Sequence, residues 1–140
     1  MSLVLEVDTA GWQAHLDAVA RAVPELVPVT KGNGYGLGNA RLAAQAARLG
    51  VATLAVGTPQ EVGEVAGPFP GHLLVLSPWD GRPDVADDLA PGRVVRTVSH
   101  ADVLADVLAR PTASRPPLVV EVATSLRRHG LEPDEVGALV

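Results

Sequence analysis

Apolar positions along the chain follow two alternating patterns. In residues 10–22 the apolar side chains, among them Trp12, Leu16 and Val19, recur with the period of a helix and share one face. Between such segments lie short runs of consecutive apolar residues, which are typical of buried strands. Strands are predicted over 3–7, 26–30, 53–57, 73–76, 94–98 and 118–123, and helices over 10–22, 39–49, from 59 onwards, 84–89, from 99 to about 108, and from 133 onwards.

Several of these helix starts carry a recognisable signal. Residues 58–61 read Thr-Pro-Gln-Glu, which is a capping box with proline at the first helical position. Asn39 and Ser99 are predicted to cap the helices that follow them, and Pro133 is predicted to open the last one.

The alternation of strands and helices predicts an α/β fold. Strands that are apolar on both faces and separated by helices form a parallel sheet covered by helices. A doubly wound sheet and a (β/α)8 barrel both fit this pattern, and the pattern alone slightly favours the doubly wound sheet, since five core strands fit it without remainder. Pro28 conflicts with the first core strand, because proline has no backbone N–H to donate to the neighbouring strand.

Composition and charge exclude several classes of protein. The chain has 140 residues, 47% of them hydrophobic and 19% charged, which predicts one globular domain. A net charge of -5 gives no electrostatic case for nucleic acid or for an anionic membrane. The absence of cysteine excludes disulfides and thiolate metal sites. With no signal sequence and no apolar run near the ~20 residues of a membrane helix, we expect a soluble, cytoplasmic protein.

The histidines and one cluster of aspartates are interpreted as having no role in a functional site. The four histidines are scattered and no pair has the spacing of metal ligands, so no metal is assigned. Asp84, Asp87 and Asp88 are interpreted as the solvated face of a short helix.

One loop carries candidate chemistry. Lys31 is the only lysine among eleven basic residues, and it opens a glycine-rich segment, residues 31–38, where a strand leads into a helix. This is the functional end of α/β sheets and barrels. The glycines do not have the G-x-G-x-x-G spacing, and the lysine precedes them rather than following them as in a Walker A motif. A desolvated lysine can form a Schiff base, whereas arginine stays protonated.

The segment Lys-Gly-Asn-Gly-Tyr-Gly-Leu-Gly at 31–38 resembles the alanine racemase signature Lys-Ala-Asn-Ala-Tyr-Gly-His-Gly. Gly32 and Gly34 replace the alanines, and Leu37 replaces the histidine. Residues 5–9 and 53–61 are similar to other segments of the family. The resemblance implies an α/β fold, namely a partial (β/α)8 TIM-type barrel of about five parallel core strands with covering helices, and residues 1–140 would be the N-terminal portion of a truncated cofactor-binding barrel domain.

The same resemblance implies roles for two residues. Lys31 would form the internal aldimine with pyridoxal 5'-phosphate (PLP) and later act as one of two acid/base groups at the substrate Cα. Tyr35 would lie against the cofactor phosphate. A lysine at the carboxyl end of the strands is expected to be partly desolvated, which favours the neutral amine.

A second segment, residues 120–130, resembles the family less closely. Its match places Arg128 toward the cofactor's phenolic oxygen and the substrate carboxylate, for which a guanidinium fork is suited. Glu121 stands where the family has a lysine that is often carbamylated, and its carboxylate could supply the same negative charge. A solvated basic pair at Arg127 and Arg128 is the alternative interpretation.

The resemblance also implies a larger protein. The family's later strands and C-terminal β-domain, which supplies a catalytic tyrosine across a homodimer interface, have no counterpart in the chain, and a closed barrel usually takes ~250 residues. We therefore expect a fragment that does not racemise amino acids alone, with alanine as the family's substrate. A non-catalytic PLP-binding barrel of the cofactor-homeostasis kind and a remnant without ligand are the alternative hypotheses.

Overall fold

A computed structural model describes residues 4, 6–125 and 128–139. Within these ranges no helix has the length and apolar character needed to cross a membrane. The strands are β1 Val29–Thr30, β2 Thr53–Val56, β3 His72–Pro78, β4 Val94–Val98 and β5 Leu118–Val120. The helices are α1 Thr9–Ala22, α2 Asn39–Arg48, α3 Val62–Val65 (preceded by a 3-10 turn Pro59–Glu61), α4 Val85–Leu89, α5 Ala101–Leu108 and α6 Pro133–Leu139.

The five strands form one sheet in which every strand neighbours the strand before it. The order is β1-β2-β3-β4-β5 and all four pairings are parallel. A doubly wound sheet reverses its strand order at a switch point, whereas a (β/α)8 barrel adds its strands consecutively. The consecutive order confirms the partial barrel, and the doubly wound sheet favoured by the pattern alone is wrong.

The two faces of the sheet have different surroundings. On one face, β-strand residues such as Val56 and Val75 are at most 2% exposed and pack against the helices. On the other face, Val29 and Val119 are 53% and 37% exposed. Register places Val29 beside Ala55, Ala55 beside Leu74 and Leu74 beside Val95, so an apolar row crosses four strands on this face. This is the side that forms the interior of a closed barrel.

The boundaries of the first and last strands resolve one conflict and correct one prediction. Strand β1 begins at Val29, so Pro28 lies before the strand, where its lack of a backbone N–H interrupts no pairing. Its carbonyl accepts a 2.8 Å hydrogen bond from Ala55 N–H. Strand β5 ends at Val120 rather than Ala123, and an isolated bridge from Val122 to Leu131 follows it. In the strand predicted over 3–7, residues 3 and 5 lie outside the described residues, and positions 4, 6 and 7 are not in a strand.

Two predicted helix caps are wrong, while the capping box at residues 58–61 is confirmed. Asn39 is already inside α2, and its Oδ1 accepts a 2.7 Å hydrogen bond from the hydroxyl of Thr30. Ser99 lies one residue before the cap of α5, and its hydroxyl donates to Glu121 Oε2 at 2.6 Å. In both places a partner outside the helix binds the side chain that the local pattern assigned to the helix cap.

The aspartate cluster is not simply a solvated helix face. Arg96 is 1% exposed and forms ion pairs of 2.7 Å with both Asp84 and Asp87, and its guanidinium lies 5.4 Å from the ring centre of Trp79. Burial alone lowers the pKa of Arg96, but hydrogen bonds to the two carboxylates outweigh burial and leave its pKa raised. The cluster therefore fixes α4 to strand β4 with a permanently charged arginine.

Candidate functional site

The carboxyl ends of the strands surround a cavity of about 340 Å³. Its wall contains residues that directly follow β1, β2 and β5, together with the end of β3 and residues from the loop after β5. They are Lys31, Gly57, Leu76, Ser77, Pro78, Glu121, Arg128 and His129. Because carboxyl ends of parallel strands lie at the same edge of a sheet, residues far apart in sequence meet here.

Lys31 reaches this cavity because of the alternation of side chains along β1. Thr30 is buried beside Asn39 on the helix-covered face, so the following residue lies toward the open face. The Lys31 side chain runs past Gly57, where an added Cβ would come within 3.1 Å of Lys31 Cβ. The expected desolvation is not seen, since Lys31 is exposed to solvent.

The loop after Lys31 is a left-handed turn. All five residues of Gly32–Gly36 have positive φ, including 54° at Asn33 and 53° at Tyr35. Left-handed backbone costs about 1–2 kcal/mol for each residue that carries a Cβ, and glycine avoids that cost. The alternating glycines are thus explained by backbone conformation, because three of the five left-handed positions have no Cβ.

Three hydrogen bonds fasten this turn near its two ends. On the helix side, the Thr30 hydroxyl donates to Asn39 Oδ1. On the side of the neighbouring strand, Gly32 N–H donates to Glu61 Oε1 at 2.7 Å. Within the turn, Gly38 N–H donates to Asn33 O at 3.0 Å. The backbone on both sides of Lys31 is therefore held to other elements of the fold.

The other predicted residues differ in their placement. Tyr35 is 89% exposed and does not line the cavity, so its assignment to a cofactor phosphate stays a prediction. Arg128 lines the cavity together with Lys31, and it also borders a second hollow of about 460 Å³ near Ser99. Arg127 lies outside the described residues. The structure thus brings two of the three predicted residues to one place.

Sequence reasoning missed two side chains of this region. Glu61 was recognised only as part of a capping box, yet its carboxylate also binds Gly32 in the lysine loop. His129 was set aside as one of four scattered histidines, yet it borders the cavity beside Arg128. Neither contact has a local signal, because both depend on how the strands lie side by side.

Fold and site together define the class: an α/β barrel segment that presents a single lysine and an arginine in a cavity at the carboxyl ends of its strands. The family within that class follows from comparison of the sequence. The model of the family "alanine racemase, N-terminal domain" matches residues 7–140, and the chain belongs to this family.

Three solved structures with a similar fold are alanine racemases. The chain is 26% identical to the alanine racemase from E. faecalis, with a TM-score of 0.72, over 93% of this chain and 37% of that one. It is 21% identical to the alanine racemase from Bartonella henselae with covalently bound pyridoxal phosphate, with a TM-score of 0.69, over 91% of this chain and 36% of that one. For the alanine racemase from Oenococcus oeni the identity is 22%, the TM-score 0.70 and the coverage 94% and 34%.

The chain therefore spans about a third of the length of these alanine racemases. No curated protein sequence shows significant similarity to it.

Proposed function

We propose that this chain is the cofactor-binding part of a PLP-dependent amino-acid racemase and that Lys31 is the attachment residue. The observation that carries the proposal is the meeting of Lys31 and Arg128 in one cavity at the carboxyl ends of the strands. An amine able to bond a carbonyl and a guanidinium able to bind an anion are the two groups that such a cofactor and an amino-acid substrate require.

The residues present fit PLP in size and chemistry. A cavity of about 340 Å³ lies within the range of small-molecule sites, which is roughly 300–1,000 Å³. Gly57 leaves the Lys31 side chain room to lie along the cavity wall. When bound, PLP supplies an electron sink for chemistry at the substrate Cα.

The chain's own residues then have distinct tasks. Lys31 holds the cofactor and moves a proton at the substrate Cα. Arg128 binds the substrate carboxylate, and Glu121 supplies a negative charge on the same wall. Tyr35, on the left-handed turn, is assigned to the phosphate. Alanine is the proposed substrate and a homodimer the proposed assembly, both by likeness to the family.

A spectrophotometric titration of the chain with PLP tests the attachment. Because Lys31 is the only lysine, it offers the only ε-amine, and the α-amine is the only competing site. We expect a saturable visible band that borohydride removes. The Lys31→Arg variant keeps the charge and the α-amine but cannot form the bond, so any signal left in it measures the competing site.

Exchange of the substrate Cα hydrogen tests the reaction class. With PLP and alanine in deuterium oxide, we expect the chain to incorporate deuterium at Cα and the Lys31→Arg variant to incorporate none above free PLP. Attachment of PLP without exchange would favour the non-catalytic PLP-binding barrel instead.

A further inference from the structure

A single carboxylate joins the loops that follow strands β1 and β2. Glu61 Oε1 accepts a 2.7 Å hydrogen bond from Gly32 N–H. Its other oxygen, Oε2, accepts bonds from Gly57 N–H at 2.8 Å and from Thr58 N–H at 3.0 Å. Three backbone donors from two neighbouring strand ends therefore share one side chain.

The bond to Gly32 goes beyond helix capping. A capping box requires only that the glutamate accept from the N-cap backbone, which here is Thr58 N–H. Gly32 lies 29 residues away in sequence, in the loop that follows the neighbouring strand β1. Its bond fixes the peptide that directly follows Lys31, so the direction of the lysine side chain depends on Glu61 as well as on β1.

The chemistry of the three bonds requires a carboxylate. Both oxygens are engaged and all three donors are N–H groups. Hydrogen bonds to a charged acceptor are roughly twice as strong as neutral ones. Glutamine offers one acceptor oxygen, and its amide would set N–H against N–H at the other position.

We propose that Glu61 is the positioning residue for Lys31: by binding Gly32 N–H it holds the lysine at the cavity wall. The expected consequence of this positioning is tighter attachment of PLP, and that consequence rests on the proposed function. Gly57 is part of the same arrangement, since a Cβ there would lie 2.9 Å from Glu61 Oε2 and 3.1 Å from Lys31 Cβ. The carboxylate and the lysine thus flank one glycine.

The test compares Glu61→Gln with two controls in the full chain. Glu64→Gln removes an exposed carboxylate from the same helix, and Thr58→Ala alters the capping box but keeps Glu61. We expect Glu61→Gln to weaken PLP attachment about tenfold, the effect of losing one charge-assisted hydrogen bond, and both controls to stay within about twofold of the unaltered chain.

A second readout needs no cofactor. Amide hydrogen exchange at Gly32, measured by NMR without PLP, is expected to speed up about tenfold in Glu61→Gln and to be unchanged in Glu64→Gln. Glu61→Asp keeps the charge but shortens the reach, and we expect its exchange rate and PLP affinity to lie between those of Glu61→Gln and the unaltered chain. Should Glu61→Gln not fold, the aspartate variant gives the decisive comparison.

The outcomes separate this inference from the proposed function. An unaltered chain that takes up no PLP overturns the proposed function and, with it, the role of Glu61. An unaltered chain that takes up PLP while folded Glu61 variants take it up equally well overturns the positioning role alone. If Glu61→Gln and Thr58→Ala weaken PLP uptake to the same extent, the effect belongs to the start of the helix, and the positioning role is overturned.

Discussion

The loops that follow β1 and β5 both reach the cavity, but they are held in different ways. Residues 31–38 contain the left-handed turn Gly32–Gly36, and side-chain hydrogen bonds join Thr30, just before this loop, to α2 and Gly32 to Glu61. The loop after β5 is held mostly by its backbone: Gly130 lies directly beside the backbone of Val122 and Ala123, and Leu131 forms backbone hydrogen bonds with Glu121 and Ala123. One side-chain hydrogen bond, from Ser99 to Glu121, is added to these contacts.

The difference explains why the first loop matches the family motif more closely than the second. A left-handed turn limits which residues can follow one another, so glycines recur at fixed places in the first loop. A loop held mostly by its backbone constrains few side chains, and in the second loop Glu121 stands where the family has a lysine. The chemistry at the first loop can be predicted from a motif, whereas at the second it depends on geometry.

The largest effect is expected for Gly130→Ala. The new Cβ would lie 2.6 Å from Ala123 N and 2.7 Å from Val122 C, at a φ of +117°. Because backbone atoms cannot move aside cheaply, we expect a loss of about 3 kcal/mol or more in the free energy of unfolding. Urea denaturation gives this value.

The nearby Gly137→Ala is the matched control. Gly137 is in α6 with nothing within 4 Å of its added Cβ, so alanine should stabilise by about 0.5–1 kcal/mol. A Gly130→Ala variant as stable as the unaltered chain would contradict the description of the second loop.

A smaller loss is expected for Gly34→Ala in the first loop. Its Cβ would lie 2.5 Å from Leu42 Cδ1 at a φ of +58°, which predicts a loss of about 2 kcal/mol, moderated by movement of the flexible leucine. Gly32→Ala has a φ of +56° with nothing within 4 Å, so the strain alone predicts about 1 kcal/mol. Equal losses in the two variants, in thermal or urea unfolding, would mean that contact with Leu42 contributes nothing.

Arg128→Ala should separate binding from stability. Arg128 is exposed, so the free energy of unfolding should change by less than about 0.5 kcal/mol. Loss of a guanidinium from the cavity should weaken binding of a carboxylate-bearing ligand to the PLP-loaded chain about tenfold. Arg82→Ala, which removes an exposed arginine that does not line the Lys31 cavity, is the control; an equal effect there would assign the change to overall charge.

The smallest effect is expected for Ser99→Ala. Its hydroxyl donates to Glu121 at 2.6 Å, and because the Glu121 carboxylate is partly exposed to solvent, this bond contributes only about 1 kcal/mol to stability. Calorimetry of the variant should show a modest fall in Tm, and Glu121→Gln combined with it should add little further. Fully additive losses would show that the two side chains do not act as a pair.

Much of the fold is predictable because it depends on local pattern. The strand β4, the capping box at 58–61 and the last helix from Pro133 agree with their sequence signals. What escaped prediction depends on contacts between different elements of the fold: Asn39 binds Thr30 instead of capping a helix, and the buried Arg96 forms an ion pair with the partly exposed Asp84. The choice between barrel and doubly wound sheet likewise needs the strand order, which hydrophobic periodicity does not contain.

The candidate site divides in the same way. Lys31 could be predicted from its motif, and the structure adds a cavity that Lys31 and Arg128 both line. Glu61 could be predicted only as a cap, because its bond to Gly32 joins two strands through space. Tyr35 shows the limit of the motif, since a residue in register with the family is 89% exposed in this structure.

The most direct test of the central claim is the position of the cofactor on the chain. The chain is incubated with PLP at equal concentration, reduced with borohydride, digested and examined by mass spectrometry. The account predicts one pyridoxyl group, on the peptide that contains Lys31, and a large reduction of that labelling in Glu61→Gln. A pyridoxyl group found only on the N-terminal amine, with Lys31 unmodified, would contradict it.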